Sequence, residues 1–317
     1  MRRLAIFAAV IAFGGAFAAV VAARGRSDLD PRTATAGPYL DAAGVYTRYR
    51  TWGTTGSPIV LVHGFVESTD VWARVAPLLA RHHRVIALDL RGFGYSDRTG
   101  PYTAASMADQ VEALLRKLDV RRPLLVGHSM GAGVLAELAR RQPGAYRGMI
   151  FADGDGLADG SSGPLGAVAS GPVAAIAIAI ALSSDPIMRS ILRGAYGPHH
   201  PPLTHALIQR WRRPLRVRGS ALALAEMTKA GGIGLSKDEL GEARRVASAV
   251  IWGEFDSLPL AAGRAAARAL GGSPLWTIHG AGHLTPLTHP VRFAKLVERF
   301  SGQLDARSWR ASSSQAP

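Results

Sequence analysis

The sequence predicts an α/β fold, a mostly parallel sheet with helices on both faces and one mostly helical insertion. Three observations predict it. Short, continuous apolar runs alternate with segments of helical periodicity, the pattern of strands buried on both faces. That rhythm breaks at Gly154 and resumes at Val250. Finally, 48% hydrophobic and 19% charged residues in a 317-residue chain supply a core for one large domain with an inserted piece.

The elements follow in order. Met1-Arg2-Arg3 precedes an uncharged run from Leu4 to Ala23, with Arg24 and Arg26 beyond it. About 20 apolar residues can cross a bilayer as a helix. The same charge pattern, with Val21-Ala22-Ala23 as a small-residue cleavage site, also fits a secretion signal. The longer run favours a retained membrane anchor over 1–26, with secretion after cleavage near Ala23 as the alternative. Arginines at both ends leave its orientation open. Residues 27–38, rich in Pro, Gly and Thr, read as a linker.

Tyr39–Ala42 and Val45–Trp52 read as strands, the second half-exposed and antiparallel by its alternation. Ile59–Val62, Arg84–Leu90, Leu124–Val126 and Met149–Phe151 are buried strands, with helices over Thr103–Leu118 and Val134–Arg141. These form the first part of the core, 39–154. Residues 155–245 are the helical insertion: an Ala/Ile stretch, 174–182, then helical pieces broken by Pro198, Pro201, Pro202 and Pro214. The second part of the core, 246–302, holds the strands Val250–Trp252 and Leu275–Ile278 and helices near Pro259–Leu270 and Val291–Phe300. The polar tail, 303–317, is expected to fray.

Four motifs end four of these strands. Gly127-His128-Ser129-Met130-Gly131 stands between a strand and a helix, the context in which G-x-S-x-G exposes a serine on a strained turn. Ser129 is the candidate nucleophile. Its neighbours two residues away must be small to clear the turn, and the Met130 N–H at the helix start favours nearby negative charge. Gly133 is expected to bring that helix close to the sheet. His63-Gly64-Phe65 follows the first buried strand, where the Phe65 N–H would join that of Met130 in an oxyanion hole. Gly253-Glu254-Phe255-Asp256 offers Asp256 as a carboxylate at a strand end, and Gly280-Ala281-Gly282-His283 offers His283 as base. Asp153, after the strand at Met149–Phe151, rivals Asp256 as the acid. His279 and His289 are poorer candidates for the base, because one ends a strand and the other precedes Pro290.

Composition removes several classes. There is no cysteine, hence no disulfide, thiolate metal site or cysteine nucleophile. The net charge of +14 comes almost wholly from arginine, with lysine only at positions 117, 229, 237 and 295. Coding bias toward arginine is the favoured account, with contact with anionic lipid as the alternative. No nucleic-acid module or interleaved stacking aromatic accompanies it. His199, His200 and His205 sit among prolines and read as an exposed loop, so neither metal nor organic cofactor is expected.

From about Tyr39 to Phe300 the chain resembles the α/β-hydrolase fold family, as a serine hydrolase with a lid inserted between strands six and seven. His63-Gly64-Phe65, Asp89–Asp97, Gly127–Gly131, Gly253–Asp256 and Gly282-His283 stand in the family's order. The resemblance implies a structural role for Asp89–Asp97. Two departures are Val66, where several branches carry proline, and His289-Pro290, where an acidic residue often precedes the proline. Related dehalogenases and epoxide hydrolases carry aspartate where Ser129 stands, and the latter use two lid tyrosines where this segment holds only Tyr196.

The expected function is hydrolysis of a small, apolar carboxylic ester through Ser129, His283 and Asp256, by way of an acyl-enzyme. C–C bond hydrolysis and cofactor-free perhydrolysis or haloperoxidation use the same triad and stand as alternatives. A non-catalytic ligand-binding protein of this fold is the alternative of another class.

Overall fold

The computed structural model describes residues 29–154, 184–229, 233 and 237–313. The apolar run 4–23 and the Ala/Ile stretch 174–182 lie outside these residues. Among the described residues no helix is long and apolar enough to cross a membrane.

Eight strands form one sheet: β1 (Tyr39–Ala42), β2 (Val45–Trp52), β3 (Pro58–Val62), β4 (Arg84–Leu88), β5 (Leu124–His128), β6 (Gly148–Ala152), β7 (Ser248–Gly253) and β8 (Leu275–Ile278). Their order across the sheet is β1-β2-β4-β3-β5-β6-β7-β8. Only the β1–β2 and β2–β4 pairs are antiparallel. The others run parallel, so the carboxyl ends of β3, β5, β6, β7 and β8 open along one edge.

The period-two geometry of a strand sorts the apolar runs onto two faces. Val60, Val62, Leu125, Met149, Phe151, Val250 and Trp252 enter one core. Ile59, Leu61, Leu124, Val126, Ile150, Ala249 and Ile251 enter the other. Helices cover both. On the first face lie α2 (Ala104–Lys117), α3 (Met130–Arg141) and α8 (Leu260–Ala269). On the second lie α1 (Ala76–Leu79), α9 (Thr285–Thr288) and α10 (Pro290–Ser313). α2 starts from a capping box, in which the Thr103 hydroxyl accepts the Ser106 N–H and the Ser106 hydroxyl accepts the Thr103 N–H. α3 is buried from Met130 to Ala139, so its first turn is held rigidly against the sheet edge.

Between β6 and β7 the described residues form helices α4 (Asp185–Tyr196), α5 (His205–Arg212), α6 (Ser220–Lys229) and α7 (Lys237–Glu242). α4 and α5 bury Met188, Leu192, Tyr196 and Ile208 in the second core, and α6 and α7 bury Ala223, Leu224, Met227 and Leu240 in the first.

The structure departs from expectation in three places. Residues 29–38, expected as a linker, are docked: Leu29 forms a parallel bridge with Val217, and Ala34 packs with Tyr95 and Val217. Two backbone hydrogen bonds with Arg216 and Arg218 hold Leu29 there. The tail expected to fray from 303 is helical to Ser313, because Phe300 and Leu304 continue the buried face of α10. Gly133 does not serve the helix–sheet contact. A side chain there would meet the carbonyl oxygen of Ile233 at 2.2 Å, so its smallness admits Ile233.

Asp89, after β4, ties the sheet to the loops around it. Its fully buried carboxylate accepts the Thr69 N–H at 2.6 Å, the Tyr95 N–H at 2.9 Å and the Arg48 guanidinium at 3.3 Å. This is the structural role that the Asp89–Asp97 stretch implied. Replacing Asp89 with alanine leaves a buried arginine without its counter-charge and two N–H groups without an acceptor. The expected cost is about 3–5 kcal/mol of stability, read as a lower denaturation midpoint in urea.

Candidate active site

β5 runs straight into a turn that only certain residues can make. Ser129 sits at φ 52°, ψ −122°, outside the usual regions for an L-residue, and its N–H is held at 2.9 Å from the Ala152 carbonyl of β6. A Cβ on Gly127 would lie 2.6 Å from the Gly131 oxygen, and one on Gly131 would lie 2.5 Å from the Val62 oxygen. Both must be glycine for the strand, turn and helix to close. The loop after β3 passes directly over the serine, because a Cβ on Gly64 would meet Ser129 Cβ at 2.7 Å.

The other two groups arrive from neighbouring strand ends. Asp256 follows β7 and His283 follows β8. His283 Nε2 lies 2.9 Å from Ser129 Oγ, and His283 Nδ1 lies 3.0 Å from each carboxylate oxygen of Asp256. Asp256 also accepts the Leu258 N–H at 2.8 Å. Met130 is the first residue of α3, where N–H groups have no intrahelical acceptor. Neither its N–H nor that of Phe65 donates to an acceptor among the described residues. Ser129, His283 and Asp256 are thus brought into one hydrogen-bonded chain, with Met130 directly after Ser129 and Phe65 in the loop after β3.

The rival acid takes a different place. Asp153, fully buried at φ 48°, accepts the Gly253 N–H at 2.7 Å and the Thr285 hydroxyl, with no hydrogen bond to His283. His279 pairs with Glu254 at 3.5 Å and His289 contacts Thr288, so neither reaches Ser129. His199 and His200 are exposed, and His205 pairs with Asp185 at 2.9 Å. Among the described residues no group of three potential ligands could hold a metal ion.

Sequence reasoning missed two side chains under the site. His128, the variable residue inside Gly127–Gly131, and Glu67, three residues after Gly64, are buried and 3.0 Å apart. A glutamate so close to an apolar strand end was the one available signal. Val66, noted for replacing proline, has φ 59°, a left-handed conformation unusual for a β-branched residue.

The helical insertion touches the base loop. The Leu284 N–H donates to the Ala195 carbonyl at 3.0 Å, and Gly197 lies against Gly282 so closely that a Cβ on either would clash.

Comparison with known proteins agrees with this architecture. A family model described as the alpha/beta hydrolase fold matches residues 57–168. The uncharacterized hydrolase YugF of Bacillus subtilis is 27% identical over 265 residues, covering 82% of this chain and 95% of its own. A meta-cleavage product hydrolase (CumD) superposes with a TM-score of 0.70 at 24% identity, covering 84% of this chain and 98% of its own. A bacterial membrane phospholipase A superposes with a TM-score of 0.71 at 22% identity, covering 95% of this chain and 96% of its own. The chain has the α/β-hydrolase fold.

In this α/β-hydrolase fold the two neighbouring carboxyls are pushed apart in acidity. Burial, reinforced by the charge of Asp256, raises the Asp153 carboxyl far above the usual range. Burial acts on Asp256 in the same direction, but the hydrogen bond and charge of His283 and the Leu258 N–H outweigh it and hold Asp256 low. Asp153 is therefore a neutral acid in the folded protein over a range where the unfolded chain ionises it. The fold then binds more protons than the unfolded state, so this residue makes stability fall as pH rises above about 4. Asp153→Asn keeps a neutral group of the same shape and removes that dependence. Its melting temperature relative to wild type should rise from about pH 4 to about pH 8, measured by thermal unfolding across buffers.

Proposed function

We propose that the protein is a serine hydrolase that cleaves carboxylic esters of small, apolar substrates. One observation carries the reading: the unbroken hydrogen-bonded chain from Asp256 through His283 to Ser129 Oγ, flanked by the Phe65 and Met130 N–H groups. Ser129 Oγ attacks the acyl carbon while His283 Nε2 takes its proton, and Asp256 stabilises the imidazolium. The two N–H groups hold the oxyanion. The proton on His283 then passes to the departing alcohol, leaving an acyl-enzyme. A water, deprotonated by His283, attacks the acyl carbon, and Ser129 recovers its proton as the acid leaves. Neither metal nor organic cofactor enters the scheme. The helical segment between β6 and β7 acts as a lid, consistent with its contact at Ala195–Gly197 with the His283 loop.

A second reading, C–C bond hydrolysis of diketone acids, uses the same groups and is favoured by the likeness to the meta-cleavage product hydrolase. p-Nitrophenyl esters of graded chain length, screened beside a vinylogous diketone acid, separate the two. Turnover of the acid alone would replace the ester reading.

A fluorophosphonate probe should label wild type and leave Ser129→Ala unlabelled, and equal labelling of both would remove Ser129 from its role. Asp256→Asn should lower kcat by roughly 10³–10⁴-fold, whereas Asp153→Asn should stay within about tenfold of wild type. The reverse order would move the acid to Asp153. Burial lowers the basicity of His283, but the hydrogen bond and charge of Asp256 outweigh it and raise the ring above its ordinary value. Because the base works only when neutral, kcat/KM should rise with pH through a midpoint above about 6.5.

Residues 4–23 are proposed to hold the chain at a membrane. Full-length protein should stay with the membrane fraction through a carbonate wash, whereas soluble protein beginning near Arg24 would indicate a cleaved signal.

A further inference from the structure

Beneath the nucleophile, two buried side chains connect the loops on either side of it. His128 Nδ1 lies 3.0 Å from Glu67 Oε2, and His128 Nε2 lies 2.8 Å from the main-chain oxygen of His283. Glu67 Oε2 also accepts the Gly64 N–H at 2.7 Å. A carbonyl oxygen can only accept, so His128 Nε2 must carry a hydrogen. With Nε2 protonated, the Nδ1–Oε2 contact needs one more proton, carried either by Nδ1 or by the Glu67 carboxyl. Glu67 Oε2 also accepts the Gly64 N–H, and although burial opposes its charge, the charge and hydrogen bond of His128 with that N–H outweigh burial and hold the carboxyl below its ordinary range. The pair is therefore an imidazolium facing a carboxylate, both buried, with no net charge between them.

We propose that His128 and Glu67 form an ionic strut that positions the oxyanion loop and the base loop about Ser129, and that its cation discourages protonation of His283. This rests on reading His283 as the general base.

The strut spans the parts that must keep register. Through Gly64 it fixes the residue before Phe65, whose N–H is one proposed oxyanion donor. Through the His283 carbonyl it fixes the backbone of the base. Ser129 follows His128 directly, so nucleophile, base and oxyanion loop share one anchor.

The surrounding charges are few. Besides Glu67, His128 faces His283, at 5.0 Å between ring centroids, and Asp153, 3.9 Å from Nε2. His63 also adjoins it on the β3 side, and Trp72 meets it edge-on. Burial alone would strip the proton from His128. The Glu67 charge and hydrogen bond outweigh burial, helped by the His283 carbonyl, and hold the ring up at about 9. His63, by contrast, is lowered by burial despite Asp89, its Gly64 contact and Glu67, so it adds no competing cation. On His283, Asp256 favours the proton and the His128 cation opposes it. The strut thus keeps the base neutral to lower pH than the Asp256 pair alone would allow.

The test uses an ester that wild type turns over, with Ser129→Ala as the inactive control. His128→Gln and Glu67→Gln both abolish the cation, the second by removing the carboxylate that sustains it. In each, kcat per labelled active site should fall about 10–100-fold while KM moves less than about threefold. The acid limb of kcat/KM should shift to higher pH. A merely structural role lowers the labelled fraction and leaves the limb in place, and an unmoved limb in a folded, labelled variant overturns the proposal. If neither variant folds, nitrogen-15 spectra of the wild-type imidazoles at about pH 8 decide, with His128 assigned through its contact with Trp72. Two ring N–H groups support the strut, and a single N–H overturns it. Failure of the hydrolase reading itself looks different: wild type then turns over no ester and Ser129 takes no probe, while the nitrogen-15 result still judges the strut.

Discussion

The turn at Ser129 is the constraint on which the rest of the site depends. Its φ of 52° is tolerated because the Ala152 carbonyl takes its N–H and because Gly127 and Gly131 leave no side chain in the turn. Gly131 lies against the end of β3 and Gly64 against Ser129 itself, so β3, β5 and α3 are locked together at one point. A strained backbone persists only when its surroundings over-determine it. The buried first turns of α3 and the parallel pairing of β5 between β3 and β6 supply that.

Around this turn the sheet edge concentrates more ionisable groups than a dry interior normally accepts. Two carboxylates are paired, Glu67 with His128 and Asp256 with His283. The third carboxyl, Asp153, accepts from Gly253 and Thr285 and lies 3.9 Å from His128 Nε2, but burial and the repulsion of Asp256 outweigh these and keep it neutral. Burial opposes charge on all of them, so ionisation follows wherever a specific partner outweighs it. The same reasoning explains why Asp153 is unsuited to orient His283. A protonated acid that holds Gly253 and Thr285 braces the acid loop and base loop without offering a charge to the imidazole.

The insertion between β6 and β7 is part of the same construction. α4 buries Met188, Leu192 and Tyr196 in the core shared with α10 and ends with Ala195 and Gly197 on the residues around His283. The segment from Leu29 to Ala34 docks on the same insertion at Val217, with the Ala34 carbonyl accepting from Arg213. Strand ends, insertion and N-terminal segment are therefore mechanically connected through short backbone contacts.

Much of this was legible in the sequence, because it depends on local chemistry. Short continuous apolar runs between helical segments read as buried strands, and Gly127–Gly131 can be read as a strained turn from its small residues and its place between a strand and a helix. Ser129, Asp256 and His283 could be picked out as candidates because each follows a strand with a glycine nearby, and strand ends of a parallel sheet meet. The sequence favoured Asp256 over Asp153 only through its offset from Gly253 and its place after the insertion; the direction of each carboxyl, toward His283 or toward Gly253 and Thr285, is a tertiary fact. His128 and Glu67 lie 61 positions apart, and no periodicity links them. The docking of 29–38 and the length of α10 were misjudged for the same reason. Local composition fixes what a segment can do, but burial, and with it the charge state of every buried acid and histidine, is decided by which distant residues the fold sets beside it.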